Sequence, residues 1–181
     1  MPWYLTAQYG GLINNFKMTV TEFIESATLP DGITKEMVIE LQDNKELRKG
    51  FVHHFREHKN RDFALALLNK IVEIRNTPSN ADDTFIEGET LIYGCYLLGL
   101  NGYVEDALKV WEVKMNDFDT YCFVDVQLAV FAGVYTTLLY LKGIDSKEAA
   151  DAYEYIEKCA EAGDFEDIDE YYSRSTMPWF V

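Results

Sequence analysis

Apolar residues recur along this chain at intervals of three and four, the spacing that gathers side chains on one face of a helix. Val20, Phe23, Ile24 and Ala27 begin the pattern behind Thr19-Val20-Thr21-Glu22, whose T-x-x-E order is that of a capping box, and Leu29-Pro30-Asp31-Gly32 breaks it. Thr34 offers a cap for a second helix through Met37, Val38 and Leu41, and Asp43 with Glu46 offers one for a third. In that third helix Leu47, Phe51, His54, Phe55 and His58 stand at offsets 0, 4, 7, 8 and 11, so the spacing predicts all five on one face.

A fourth stripe of Phe63, Leu67, Ile71 and Ile74 follows Asn60-Arg61-Asp62 and closes at Asn76-Thr77-Pro78-Ser79-Asn80. The run from Asp82 to Leu100 is densely apolar, and its Gly94 and Gly99 permit close helix contact. Ala107, Leu108, Trp111 and Met115 mark the next helix. Asp119 heads the apolar stretch 120–142, which reads as one central helix ended by Gly143-Ile144-Asp145. Asp145 with Glu148 caps a helix carrying Ala149, Tyr153, Ile156 and Ala160, and Gly163-Asp164-Phe165 turns the chain into a short acidic segment with Ile168, Tyr171 and Tyr172. No run alternates with period two for more than a few residues. The pattern therefore predicts an all-α protein of seven or eight helices, paired as antiparallel hairpins in a single domain over 1–181.

Three elbows precede new helices with a turn residue and an aromatic: Arg61-Asp62-Phe63, Gly102-Tyr103-Val104 and Gly163-Asp164-Phe165. The middle one, within GYVEDALKVW, has Gly102, then Ala107 five residues on, then Trp111 four further on. Over about 89–116 that spacing resembles the turn of a tetratricopeptide repeat, with Cys95 beside Gly94 at the small position of the first helix. Lys114 stands where the repeat has a later small residue and Asp119 where it has a closing proline. The resemblance implies a helical hairpin in which Ala107 allows close approach and Trp111 fills the groove, and it implies a protein-binding role.

The membrane question arises at Val126–Leu141, a run of 16 residues without charge. That is short of the roughly 17–25 needed to cross a bilayer, so the run reads as a buried helix. Formal charge is −15, and its placement is uneven: residues 1–80 hold 10 basic and 10 acidic residues, 81–181 hold 6 and 21. Within 145–170 there are 11 acidic residues against Lys147 and Lys158. Such a field repels nucleic-acid phosphates and anionic lipid and steers a basic protein or a cation towards that end. Cys95, Cys122 and Cys159 are dispersed, without C-x-x-C spacing, as suits a reducing cytoplasm. The opening MPWYLTAQYGG has no basic region followed by an apolar run, as a secretory leader would. In size, acidity and helix content the chain is also similar to bacterial immunity proteins, which neutralise a toxin by covering it.

Candidate chemistry is sparse, and no cofactor is expected. His54 and His58 stand i, i+4, a spacing that presents two imidazoles to one metal, but HFREH departs from H-E-x-x-H and a packing role is expected. Asp125 inside an apolar helix calls for a partner, and a buried polar tether is expected before a catalytic acid. Asp82, Asp83, Glu87 and Glu89 present oxygen ligands of the kind Mg²⁺ or Ca²⁺ takes, yet their ordinary work is to place negative charge at a helix start. A small metal-dependent enzyme using these acids is thus the alternative. The main expectation is a protein-binding module for a basic partner. Asp151, Glu154, Glu157 and Glu161 lie at offsets 0, 3, 6 and 10 on one solvent face, with Tyr171, Tyr172 and Trp179 as apolar contacts. The apolar tail from Met177 to Val181 is expected to fold back on the body, and with Trp3, Tyr4 and Leu5 it provides the means for a homo-oligomer.

Overall fold

A computed structural model describes residues 18–29, 32–77, 85–173 and 176–181, and of Glu170 the backbone alone. Trp3, Tyr4, Leu5, Asp82, Asp83 and the breakers Pro30, Asp31 and Pro78 to Asn80 lie outside the described residues.

Every regular element among the described residues is helical. The first four are α1 Val20–Ala27, α2 Lys35–Asp43, α3 Lys45–Glu57 and α4 Arg61–Asn76. They are followed by α5 Gly88–Gly99, α6 Asp106–Lys114 and the short α7 Phe118–Phe123. A 3₁₀ turn over Val126–Ala129 leads to α8 Val134–Lys142, α9 Lys147–Ala162 and a last turn, α10 Ile168–Tyr171.

The ends of these helices follow from side chains that replace missing backbone partners. The capping box at Thr19 forms as its sequence predicts: Thr19 Oγ1 accepts from Glu22 N–H at 3.3 Å and Glu22 Oε2 accepts from Thr19 N–H at 2.8 Å. Thr34 likewise accepts from Met37 N–H. Three expected caps shift by one or two residues. Asn44, not Asp43, caps α3: its Oδ1 accepts from Leu47 N–H, while its own backbone N–H donates to Glu40 O, so one residue closes α2 and opens α3. Asp117 replaces Asp119 at α7, with Thr120 answering it, and Ser146 replaces Asp145 at α9.

Four phenylalanines fasten the first half. Phe23 of α1 meets Phe51 of α3 edge-on at 5.1 Å, Phe51 stacks on Phe63 of α4 at 5.6 Å, and Phe55 closes the group. Edge-to-face and offset pairs of this kind add attraction beyond the area they bury. Arg48 of α3 donates to the free carbonyls of Leu41 and Gln42 at the end of α2. His54 is half-buried and His58, which ends α3, is exposed, so the one-face reading holds for Leu47, Phe51 and Phe55 and fails for the histidines. Offset 7 puts His54 at the edge of the stripe, and His58 stands past the last residue of α3 with extended backbone, where helical spacing no longer places its side chain.

The central helix is α5, in which every residue from Thr90 to Gly99 is buried. It packs along α4 and also meets α3, α6 and α7. The stretch 120–142 is not one helix: α7 ends at Phe123, Asp125 is extended, and Gly133 takes a left-handed φ of 95° before α8 begins. Apolar character persists through the break, so hydropathy alone reads it as continuous. What ends α7 is Lys114, a buried residue of α6 whose ammonium donates to the carbonyls of Tyr121 at 2.5 Å and Val124 at 2.7 Å.

The chain does turn at Gly102, where φ is 77° and the N–H donates to Gly99 O at 2.8 Å. A left-handed residue there costs glycine nothing and other residues about 1 kcal/mol or more. Arg61 at the start of α4 then grips Asp106 at the start of α6 through Nε and Nη2, and lies 5.1 Å from the Tyr103 ring centroid. Ala107 and Trp111 are buried, Trp111 against Tyr155 of α9. At Gly163, φ is 86°, and Asp164 N–H reaches back to Cys159 O, the closing bond of a Schellman-type helix end. The α8–α9 hairpin completes the second half. No helix among the described residues is long and apolar enough to cross a membrane.

Candidate functional site

Helix α9 turns Ala149, Ala152 and Ile156 into the core, and this fixes Asp151, Glu154 and Glu161 on the solvent side, all three exposed. The four carboxylates singled out by spacing do share that side in part, but they are not equivalent. Lys158 Nζ donates to Glu154 at 2.5 Å, and the pair holds Glu154 below and Lys158 above their ordinary ranges. Lys147 lies 3.9 Å from Asp151. Glu157 is half-buried and accepts from the Tyr153 hydroxyl at 2.6 Å, which pushes that phenol up. The two lysines of the region thus sit within its own acidic stripe. Charge without an ion-pair partner among the described residues is carried by Glu161 and, beyond it, by Asp164, Glu166, Asp167 and Asp169, all of them exposed.

Tyr171 and Tyr172 are half-buried. The Tyr171 hydroxyl donates to Asp125 Oδ2 at 3.3 Å, and burial followed by the nearby Asp125 carboxylate raises its pKa. Tyr172 stacks on Phe131 at 3.9 Å, with burial raising its phenol as well. These two residues are therefore engaged with the body, in place of the free contact surface their composition suggests. Trp179 is different. Its neighbours Phe180 and Val181 are buried, Phe180 against Tyr96 at 5.4 Å, while Trp179 itself is 64% exposed. The tail folds back on the body as expected, and Arg56 holds it through the carbonyls of Ser173 and Thr176.

Asp125 is half-buried in the break after α7, where it accepts from Tyr171; the tether reading describes this contact, though the helix around it is absent. It lies close enough to Lys114 to favour the ammonium, against burial, which is the larger influence and lowers that lysine's pKa. The rings of Tyr121 and Tyr155 lie 4.8 and 5.5 Å from Lys114 Nζ, and their faces stabilise the charge that burial opposes. The His54 and His58 rings are 5.2 Å apart. Among the described residues no three His, Cys, Asp or Glu side chains gather as a metal site.

One feature escaped the sequence reading. Phe85, assigned there to the apolar run of the fifth helix, precedes α5 and is 65% exposed, and Phe123 at the end of α7 is 48% exposed. Between them lies a notch of about 240 Å³. Its signal in sequence was an aromatic followed by acids, Phe85 with Glu87 and Glu89, and acids followed by aromatics, Asp117 and Asp119 with Phe118 and Phe123. A second cavity, about 440 Å³, lies between α1 and α4 beside Phe63, Lys70 and Glu73, and its lysine and glutamate are paired at 2.9 Å. No family model, curated protein or solved structure matches this chain.

Proposed function

We propose that this chain is an acidic, tetratricopeptide-like helical module that binds a basic protein, in the narrower form as an inhibitor or immunity protein of that partner. The observation that carries the reading is the solvent face of α9 and the segment after it, where Glu161, Asp164, Glu166 and Asp167 are exposed while the apolar face of the same helix is fully used in the core. A one-signed field of this kind raises the rate of encounter with an oppositely charged partner and is screened within about 10 Å at ordinary salt. The turn at Gly102, with Ala107 and Trp111 buried behind it, supports a hairpin scaffold for that surface.

The test is affinity capture from source-cell lysate at low and high salt, with the native chain and with a variant carrying Glu161→Gln, Asp164→Asn, Glu166→Gln and Asp167→Asn. A basic protein held at low salt, released at high salt and held less by the variant is the expected result. Retention of none at low salt removes the reading, because attraction is strongest there.

Trp179 favours a second reading, a homo-oligomer with this exposed ring in its contact. Trp179→Ala tests it more cleanly than removal of the tail, since Phe180 and Val181 belong to the core. Light scattering of the native chain above the monomer mass, returning to it in the variant, is the outcome that reading requires.

A further inference from the structure

The notch between α5 and α7 combines an apolar interior with an unneutralised rim. Phe85, Leu91 and Phe123 supply the interior, and Gly88 lies so close under Phe123 that a Cβ there would stand 3.0 Å from the ring. Two phenylalanines at this degree of exposure forfeit the burial that fastens Phe23, Phe51 and Phe63 in the same protein. Around them stand Glu87, Glu89 and Asp119, none of which forms an ion pair among the described residues. This distinguishes them from Asp151 and Glu154 on α9, which face lysines of their own helix.

The single cation in the lining is committed elsewhere. Arg75 donates to Ile86 O at 3.2 Å, lies 3.7 Å from Asp117 and covers the Phe85 ring at 5.5 Å, and its side chain is 11% exposed. It orients Phe85 and the start of α5 and leaves the rim with a net negative charge. Glu87 and Glu89 stand at the N-terminal end of α5, where negative charge lies favourably against the helix dipole.

We propose that this notch is the anchor site for the basic partner: it takes one large apolar side chain of an exposed segment that carries Lys or Arg on either side. The inference rests on the binding function proposed above and locates its buried contact. A volume of about 240 Å³ is below the roughly 300–1,000 Å³ of small-molecule pockets, which suits one side chain and not a whole ligand. Apolar burial supplies the affinity and the flanking cations meet Glu87, Glu89 and Asp119 at the rim, the division of labour seen in protein interfaces generally. Tyr121 of α7 lies 6.1 Å from Tyr155 of α9, so the helix carrying Phe123 is seated against the helix carrying the acidic face.

The test uses the full chain with three synthetic pentapeptides, KRFRK, KRGRK and EEFEE, followed by amide chemical shifts during titration. KRFRK is expected to shift Phe85, Gly88 and Phe123. KRGRK and EEFEE are each expected to bind at least about tenfold more weakly, a loss of about 1.4 kcal/mol. Phe123→Ala, Phe85→Ala and the triple variant Glu87→Gln, Glu89→Gln, Asp119→Asn each reproduce that tenfold loss, and because these side chains are exposed, with Glu89 half-buried at the rim and replaced by its isostere, unchanged circular dichroism accompanies it. Equal binding of KRFRK and KRGRK, or full affinity in Phe123→Ala, overturns the site. Binding lost only in the α9 charge variant overturns the notch and leaves the basic-partner reading standing; absence of a basic partner in the capture experiment removes that reading by itself. Self-association that vanishes in Phe123→Ala also overturns the proposal, by giving the notch to a second copy of the chain.

Discussion

The Lys114 ammonium lies 2.7 Å from the carbonyl oxygen of Val124, and this contact decides where α7 stops. With Tyr121 O accepting at 2.5 Å and two tyrosine faces beside the charge, a buried cation takes the place of the helix's own next turn. Replacement by methionine keeps the length of the side chain and removes its donors, leaving two carbonyls unpaired. Lys114→Met is expected to lose about 2–4 kcal/mol. Urea unfolding measures this, and a change under about 0.5 kcal/mol removes the assignment of Lys114 as the end of α7.

Arg61 and Asp106 join α4 to α6 across the elbow at Gly102, with Asp106 buried and contacts of 3.0 Å from Nε and 2.6 Å from Nη2. Removal of the guanidinium strands a buried carboxylate, so Arg61→Ala is expected to lose about 3–5 kcal/mol, and Arg61→Lys recovers little because it lacks the planar fork. Lys158→Ala, which breaks an exposed pair on α9, is expected to change stability by less than about 1 kcal/mol. Similar losses in the two alanine variants would contradict this ranking.

Gly99→Ala sets helix propensity against packing. At this last residue of α5 alanine gains at most about 1 kcal/mol of helix propensity, but a Cβ at Gly99 would fall 1.8 Å from Phe131 Cδ2. Phe131 has little room to move, since it stacks on Tyr172 and meets Tyr96. Overpacking of this sort costs about 1–3 kcal/mol, so a lower melting temperature is expected. A higher one would show that Phe131 yields freely.

Burial raises the phenols of Tyr93, Tyr171 and Tyr172 above the ordinary tyrosine value, and the thiol of Cys95 to about 12. In the unfolded chain tyrosine ionises near about 10. Between that value and the raised one the folded state holds more protons than the unfolded state, so stability falls as pH rises. The contribution is complete below about pH 10 and declines above it by about 1.4 kcal/mol per pH unit for each phenol. Lys114, whose pKa is lowered, acts in the opposite sense as one group against several. Denaturant midpoints are expected to begin falling above about pH 8.5, where an unfolded cysteine ionises and buried Cys95 does not, and to fall more steeply above about pH 10, with Tyr171→Phe reducing that second slope. A midpoint that rises through pH 11 would contradict these environments.

Local pattern determined much of this protein by itself. Period 3.6, the Thr19 capping box, Thr34 and the glycines at 102 and 163 specify helices and turns from contacts within a few residues, and these form where the sequence places them. Tertiary structure decided which apolar residues were core. Residues 120–142 and 88–99 look alike in hydropathy, yet Lys114, remote in sequence from neither but belonging to another helix, closes α7 and leaves α5 as the central element. The same holds for the candidate site. Acidity near α9 was visible from composition and the pairing of Lys158 with Glu154 from their i, i+4 spacing, whereas the engagement of Tyr171 by Asp125, 46 residues away, depends on how α10 packs on the break after α7. Phe85 and Phe123 are 38 positions apart in sequence, and a notch between them exists only because α5 and α7 pack together. Periodicity reports the faces of one helix; the surface two helices leave open between them is set by their packing.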